Sequence, residues 1–176
     1  MPMIKKMVFI ILLFLLIMVY FPNRFSAAEN QNFFEGWTDF YDELFEIAAK
    51  FTNNPKYPDV WGFATTPGQG EFASSTWSTW LWSWGGDYFD ENWNPLFNNE
   101  VGVASLEAYA EAVKKFSPPD SLNWGNDDSG AAFQQGRLAM LQMWPYLGAA
   151  MEDPSQSKVV GKVGYAPLPK KVLRFP

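Results

Sequence analysis

An uninterrupted run of fifteen apolar residues, Met7–Phe21, constrains the N-terminal part of this chain most strongly. Lys5–Lys6 precede the run and Pro22 follows it. A helix that spans a membrane needs about 20 apolar residues, so this run is short for that purpose. A positive segment, an apolar segment and then small residues, here Ser26–Ala28, form the pattern of a secretory signal peptide. We therefore predict a signal peptide over residues 1–28, cleaved before Glu29.

The alternative is an uncleaved N-terminal anchor that retains the protein at the membrane. No second apolar run of this length follows in the sequence, so a cleaved signal is favoured. A lipid-modified N-terminal cysteine is excluded because the chain contains no Cys. Under either interpretation, the protein works outside the cytoplasmic membrane, in the periplasm or at the cell surface.

The absence of His and Cys from all 176 residues limits the chemistry that is possible. It excludes a disulfide framework, a Cys/His zinc site, a thiol nucleophile and a Ser-His-Asp triad. All 19 acidic residues lie at or after Glu29, whereas three of the 13 basic residues precede it. Nucleic acid is therefore not an expected partner, because phosphate binding needs clustered Lys and Arg. The composition favours binding over catalysis.

One segment, Asp90-x-Asn92-x-Asn94, resembles the start of a calcium-binding loop. Such a loop needs Gly at its sixth position and Glu at its twelfth, where this chain has Pro95 and Val101. We therefore predict no metal site.

Apolar spacing and turn residues predict helices that alternate with short strands after residue 38. Helices are expected over residues 39–52, 74–84, 101–116, 128–135 and 145–151, and strands over 61–65, 138–143 and 163–166. This pattern places the chain in the α/β or α+β class.

The chain has 32 aromatic residues, and several of them form patterns. Trp77, Trp80 and Trp84 share one face of a predicted helix. This stripe belongs either to the core or to a ligand site, and the spacing leaves both open. Trp144 and Tyr146 follow a predicted strand, a common place for ligand contacts in α/β folds. Flat rings beside amide and carboxylate groups suit sugars.

Several segments, in this order and spacing, resemble the extracellular solute-binding proteins of ABC sugar importers, the maltose-binding-protein-like group. The matching segments are Tyr41–Leu44, Trp61–Ala64, Trp84–Phe89, Val101–Phe116, Ala131–Met140, Trp144–Tyr146 and Val163–Pro169.

This resemblance implies an α/β fold, namely one truncated lobe of a two-lobed periplasmic-binding-protein-like protein. Residues 29–169 would form the partial lobe and residues 170–176 an irregular tail. The implied ligand is a sugar or another polar small solute, and the implied partner is the membrane permease of an ABC importer. No cofactor and no catalytic residue are expected, and the protein would act as a monomer.

The residues that match the ligand-binding positions of the family are mostly aromatic. By resemblance, the candidate ligand-binding residues are Trp77, Trp80, Trp84, Trp144 and Tyr146, with Gln69 and Glu71 as polar contacts from a loop. The alternative function is a small secreted carbohydrate-active hydrolase that uses an Asp/Glu pair, whose convergence in space cannot be inferred from spacing alone.

Overall fold

A computed structural model describes residues 41–169, together with the backbone of residues 16–20. The elements in chain order are strand β1 (Leu16–Tyr20), helices α1 (Tyr41–Phe51), α2 (Glu71–Ser83), α3 (Glu100–Phe116) and α4 (Asn126–Gln134), strand β2 (Met140–Met143), helix α5 (Gly148–Met151) and strand β3 (Val163–Pro167). Two 3-10 turns, Pro119–Asn123 and Pro145–Leu147, precede α4 and α5. The predicted mixture of helices and short strands is confirmed, but four helices follow one another between β1 and β2.

Strand β1 lies in the middle of a three-stranded sheet, between β2 and β3. It is antiparallel to both neighbours, and Met18 faces Leu141 on one side and Tyr165 on the other. The predicted strand at residues 61–65 forms two isolated parallel bridges instead. Trp61 pairs with Leu138, two residues before β2, and Ala64 pairs with Leu141 of β2, on the edge away from β1.

Strand β1 falls inside the segment that the sequence predicts as a signal peptide. Residues 16–20 are thus assigned both to a strand and to a signal peptide, and a chain cleaved before Glu29 would lack the strand. The rest of the predicted signal and the predicted tail, residues 170–176, lie outside the described residues. Cleavage therefore stays a prediction. Within the residues that the structure describes, no helix is long and apolar enough to cross a membrane.

The helix boundaries follow from local capping. The side chain of Asn99 accepts a hydrogen bond from the Gly102 N–H at 3.0 Å and so caps the start of α3. Helix α2 begins three residues earlier than predicted. It ends before Gly85, whose positive φ of 80° suits a helix C-terminus. The helix predicted over residues 145–151 is a 3-10 turn followed by α5, with Pro145 at the first position.

Strand β2 is buried along its whole length and separates two apolar clusters. Met140 belongs to the first cluster, with residues of α1, α2 and α3, whereas Leu141 and Met143 belong to the second, with residues of α4 and α5. This division follows from the alternation of side chains along a strand. Gln142, on the same face as Met140, is fully buried against α2.

Candidate functional site

A cavity of about 340 Å³ lies where the N-terminal ends of α2 and α4 approach the turn after β2. It is lined by Glu71, Phe72, Ser75, Asn126, Trp144 and Tyr146. Each element that contributes is held by the core: α2 through Trp80, α4 through Phe133 and the turn through β2. The cavity is therefore supported by rigid elements on all described sides.

The turn after β2 contributes two of the three rings in the cavity lining, and Phe72 of α2 is the third. Trp144 is half-buried because part of its side chain packs against the second apolar cluster. Pro145 starts a 3-10 turn directly after it, and Tyr146, one residue further, is 61% exposed. The result is one anchored ring beside one exposed ring, a surface that is apolar yet accessible to a solute.

The polar wall consists of groups that accept hydrogen bonds. Glu71 is exposed at the first position of α2 and presents a carboxylate. The Ser75 hydroxyl donates to the Phe72 carbonyl at 3.1 Å, which leaves its oxygen free to accept. The amide oxygen of Asn126 is buried and has no hydrogen-bond partner within residues 41–169. Such a set suits a ligand that donates hydrogen bonds, as hydroxyl groups do.

Two of the residues predicted to bind ligand lie in the core instead. Trp80 is 0% exposed, and its indole N–H donates to the side-chain oxygen of Gln142 at 2.7 Å. Trp84 is 8% exposed and packs with Tyr41. This enclosure corrects the expected ligand role of Trp80, which has no surface to offer a solute, and it leaves Trp84 with little surface.

Trp77 and Gln69 also lie apart from the cavity lining. Trp77 is half-buried against α3, where its indole N–H donates to the Ser105 hydroxyl at 3.2 Å. Gln69 is exposed in the loop before α2. Of the seven predicted ligand residues, the cavity brings together three, namely Glu71, Trp144 and Tyr146.

Sequence reasoning missed Phe72, Ser75 and Asn126. A serine and an asparagine at the start of a helix are usually read as caps, so their sequence gave no sign of a cavity. Phe72 follows the predicted contact Glu71 directly. A predicted helix that began at residue 71 instead of 74 would have included both residues in its first turn.

A second cavity of about 560 Å³ lies between α3 and the first 3-10 turn. Its lining is mostly apolar, including Leu106, Val113 and Leu122. It also contains two rings, Trp61 and Tyr109, and the buried hydroxyls of Ser117 and Ser121. Its lining, in the described part of the chain, has no carboxylate or amide side chain and none of the predicted ligand-binding residues, so we do not assign the solute site to it.

Two tyrosines with raised pKa values, Tyr41 and Tyr109, belong to the core. Burial raises the pKa of Tyr41 well above the ordinary value, and hydrogen bonds with Ser83 and Trp84 offset part of the rise. Burial likewise raises the pKa of Tyr109, whose hydroxyl is hydrogen-bonded to Thr76. These hydroxyls stay neutral and serve as structural hydrogen-bonding groups.

The calcium-like segment folds as a closed turn. One carboxylate oxygen of Asp90 accepts from the backbone N–H groups of Asn92 and Asn94, both at 2.8 Å, and the other accepts from the Asn94 side chain. These hydrogen bonds lower the pKa of Asp90. Among residues 41–169, no group of three or more acidic side chains is placed to hold a metal ion.

The family model and the relatives with similar sequences indicate the same protein family. A sequence model described as "Bacterial extracellular solute-binding protein" matches residues 15–172. A probable amino-acid ABC transporter periplasmic-binding protein from Sinorhizobium fredii is 31% identical over 133 residues, which is 76% of this chain and 30% of that protein. A mannitol-binding protein from Pseudomonas aeruginosa is 31% identical over 90 residues, which is 51% of this chain and 21% of that protein.

Solved structures show the same relationship. An ABC transporter solute-binding protein from Agrobacterium vitis S4 with bound D-mannitol gives a TM-score of 0.73 at 25% identity, over 89% of this chain and 36% of that one. A solute-binding protein from Agrobacterium radiobacter K84 in complex with ribitol gives a TM-score of 0.72 at 25% identity. The match covers 90% of this chain and 38% of that one. The chain thus spans about a third of the length of these relatives, and the predicted α/β lobe of a two-lobed fold is confirmed.

Proposed function

Because this chain belongs to the bacterial extracellular solute-binding proteins, we propose that it binds a sugar or polyol outside the cytoplasmic membrane for delivery to the permease of an ABC importer. It acts as a monomer and needs no cofactor for this task. The proposal concerns the wall of the solute site that residues 41–169 provide.

The observation that carries the proposal is the cavity between α2, α4 and the turn after β2. Its lining combines three rings, those of Phe72, Trp144 and Tyr146, with hydrogen-bond acceptors that include Glu71. A polyol or sugar presents C–H groups to the rings and hydroxyl donors to the acceptors. Pockets of this kind combine apolar lining with a few placed polar groups that orient the ligand.

An amino acid is the main alternative solute, because one relative is named as a probable amino-acid transporter component. A zwitterion would bring a carboxylate into the cavity, and a buried carboxylate needs a cation or several N–H donors. No Lys or Arg is among the cavity-lining residues of the described chain. The lining side chains thus supply no cation to pair with a carboxylate, although the N-terminal ends of α2 and α4 and the Asn126 amide can supply N–H donors. A neutral solute needs no cation, and for this reason we favour it.

Hydrolysis of a carbohydrate is the alternative from another class. Glycosidases use two carboxyl groups on either side of the scissile bond. Among the described residues, Glu71 is the one carboxylate that lines the cavity. Binding without turnover is the better match to this arrangement.

Calorimetric titration of the full chain with D-mannitol, ribitol, maltose and glutamine tests the proposal. We expect heat of binding with at least one of the hydroxyl-rich solutes and none with glutamine. Tyr146→Ala should weaken that binding about three- to tenfold, the loss expected for one aromatic contact. Tyr57→Ala is a matched control, since Tyr57 contacts Phe51 beyond the end of α1. Binding of glutamine alone, or release of shorter sugars from an oligosaccharide, would contradict the proposal.

Export is tested separately by measuring the mass of the protein recovered outside the cytoplasmic membrane. A mature chain that begins at Glu29 would support the cleaved signal. A mass that includes residues 1–28 would support the uncleaved anchor and would also retain strand β1.

A further inference from the structure

An exposed aromatic surface lies outside the cavity, on residues 87–99, which we call the aromatic hairpin. Trp93 is 77% exposed, and Phe89 and Phe97 are 44% and 40% exposed. The rings of Phe89 and Trp93 are 5.9 Å apart, and the ring of Tyr88 contacts both phenylalanines. Large side chains exposed together usually mark an interaction site.

The backbone holds Trp93 outward at an energetic cost. Its φ is +66°, a left-handed conformation that a bulky residue rarely adopts. The hydrogen bonds of the Asp90 carboxylate, described above, fix the turn. The Trp93 N–H also donates to the Asp90 carbonyl at 3.1 Å. Strained conformations that the surroundings enforce are frequent at functional sites.

The aromatic hairpin packs on the same helix that lines the solute cavity. The Tyr88 and Ser78 hydroxyl oxygens are 2.7 Å apart, and the ring of Tyr88 lies edge-on to Trp82. Ser75, Ser78 and Trp82 follow one another at helical spacing and so share one face of α2. Ser75 also lines the cavity. The rise of a helix puts Ser75 and Trp82 about 10 Å apart along the axis.

We propose that the aromatic hairpin is a second carbohydrate-binding surface, which contacts the distal units of a linear oligosaccharide whose first unit occupies the cavity. This inference rests on the proposed function and extends it to longer ligands. The ligand chain runs from Ser75 over Tyr88, which covers Ser78 on this face of α2, and reaches the rings of Phe89 and Trp93.

The polar neighbours of the rings favour a neutral saccharide. The stretch 87–100 carries Asp87, Asp90, Glu91 and Glu100 and has no Lys or Arg. This charge repels phosphate groups and anionic lipids. The side chains of Asn92 and Asn98 are exposed, and an amide both donates to and accepts from hydroxyl groups.

Titration of the full chain with xylohexaose, laminarihexaose and D-mannitol tests this surface. We expect a hexasaccharide to bind more tightly than mannitol. Trp93→Ala should weaken hexasaccharide binding about three- to tenfold and leave mannitol binding unchanged. Trp93→Phe, which keeps a ring, should restore most of the affinity. Leu122→Ala serves as the control, because Leu122 is equally prominent at 58% exposure but lies on the first 3-10 turn.

A second variant, Trp93→Gly, also removes the ring and is less prone to misfold than the alanine variant, because glycine adopts a positive φ without strain. It should show the same loss of hexasaccharide affinity. Two results would overturn the proposal: hexasaccharides that bind no more tightly than mannitol, or equal hexasaccharide affinity with and without the Trp93 ring. Equal hexasaccharide affinity with and without the ring would indicate that the exposed indole binds a protein partner instead of a saccharide. If mannitol still binds, the proposed function stands. If none of the three ligands binds, the second surface is refuted, and the proposed function also fails if ribitol and maltose do not bind.

Discussion

The side chain of Gln142 should be a major determinant of stability, although it is polar and lies in a buried strand. It accepts the indole N–H of Trp80 at 2.7 Å and donates to the Thr79 hydroxyl at 2.7 Å. Both contacts join β2 to α2, the helix that carries part of the cavity. We expect Gln142→Leu to break this link without leaving a large void, because the two side chains are similar in size.

The magnitude follows from the groups that would lose their partner. The Trp80 N–H would be left buried without an acceptor, which costs about 1–3 kcal/mol. The Thr79 hydroxyl keeps its own bond to the Thr76 carbonyl, so its loss is smaller, about 1 kcal/mol. Together they give about 2–4 kcal/mol, a large share of the total stability of an ordinary domain.

Urea unfolding followed by far-ultraviolet circular dichroism measures this loss. Gln156→Leu is the matched control, because Gln156 is exposed and its amide bonds the nearby Asp153. It should change stability by less than about 0.5 kcal/mol. In a Trp80→Phe background the cost of Gln142→Leu should fall by about 1–2 kcal/mol, since the indole donor is already absent. A cost below about 0.5 kcal/mol, or strictly additive effects, would refute the reasoning.

Three further predictions follow from the described residues. Gly62→Ala should destabilise the fold by about 3 kcal/mol in urea unfolding, because a Cβ there would lie 1.9 Å from the carbonyl oxygen of Ala48. Asn99→Ala should cost about 1 kcal/mol in the same assay through loss of the α3 cap, and Asn99→Asp should retain most of the stability. Since burial raises the folded-state pKa of Tyr41 above the ordinary 10.0, its contribution is complete below about pH 10 and is lost as the pH rises further. Tyr41→Phe should therefore make the decline in stability at alkaline pH shallower, by up to about 1.4 kcal/mol per pH unit.

The helices were largely predictable because their signals are local. The apolar spacing of α3, with Asn99 before it and Pro118 after it, defines that helix without any tertiary information. The turn after β2 was also predictable, since a short apolar strand followed by Trp144 and Pro145 indicates a strand-to-helix junction.

The central strand was not predictable in the same way. A continuous apolar run fits a buried strand and the apolar core of a signal peptide equally well, because neither shows alternation. The position of β1 is decided by pairing with Met140–Met143 and Val163–Pro167, which are distant in the sequence. Such long-range pairing cannot be predicted from the local amino-acid composition.

The spacing of the tryptophans in and directly after α2 also did not decide their role. Helical periodicity places Trp77, Trp80 and Trp84 on one face but does not say what that face meets. The answer depends on Gln142, a polar residue in a buried strand, which supplies the acceptor that lets the Trp80 indole be enclosed. Such a pairing across elements appears only when the tertiary structure is known.

The central position of β1 has a consequence for the order of folding. Leu16 pairs with Met143 and Tyr20 with Val163, so both ladders close loops that contain most of the chain. Closing long loops is entropically costly, and topologies with such distant contacts fold slowly. The sheet cannot be completed until β3 has been synthesised, whereas α1, α2 and α3 can associate earlier. In a chain that retains residues 1–28, an apolar strand remains without its partners during that interval, and an exposed apolar segment of this kind favours aggregation.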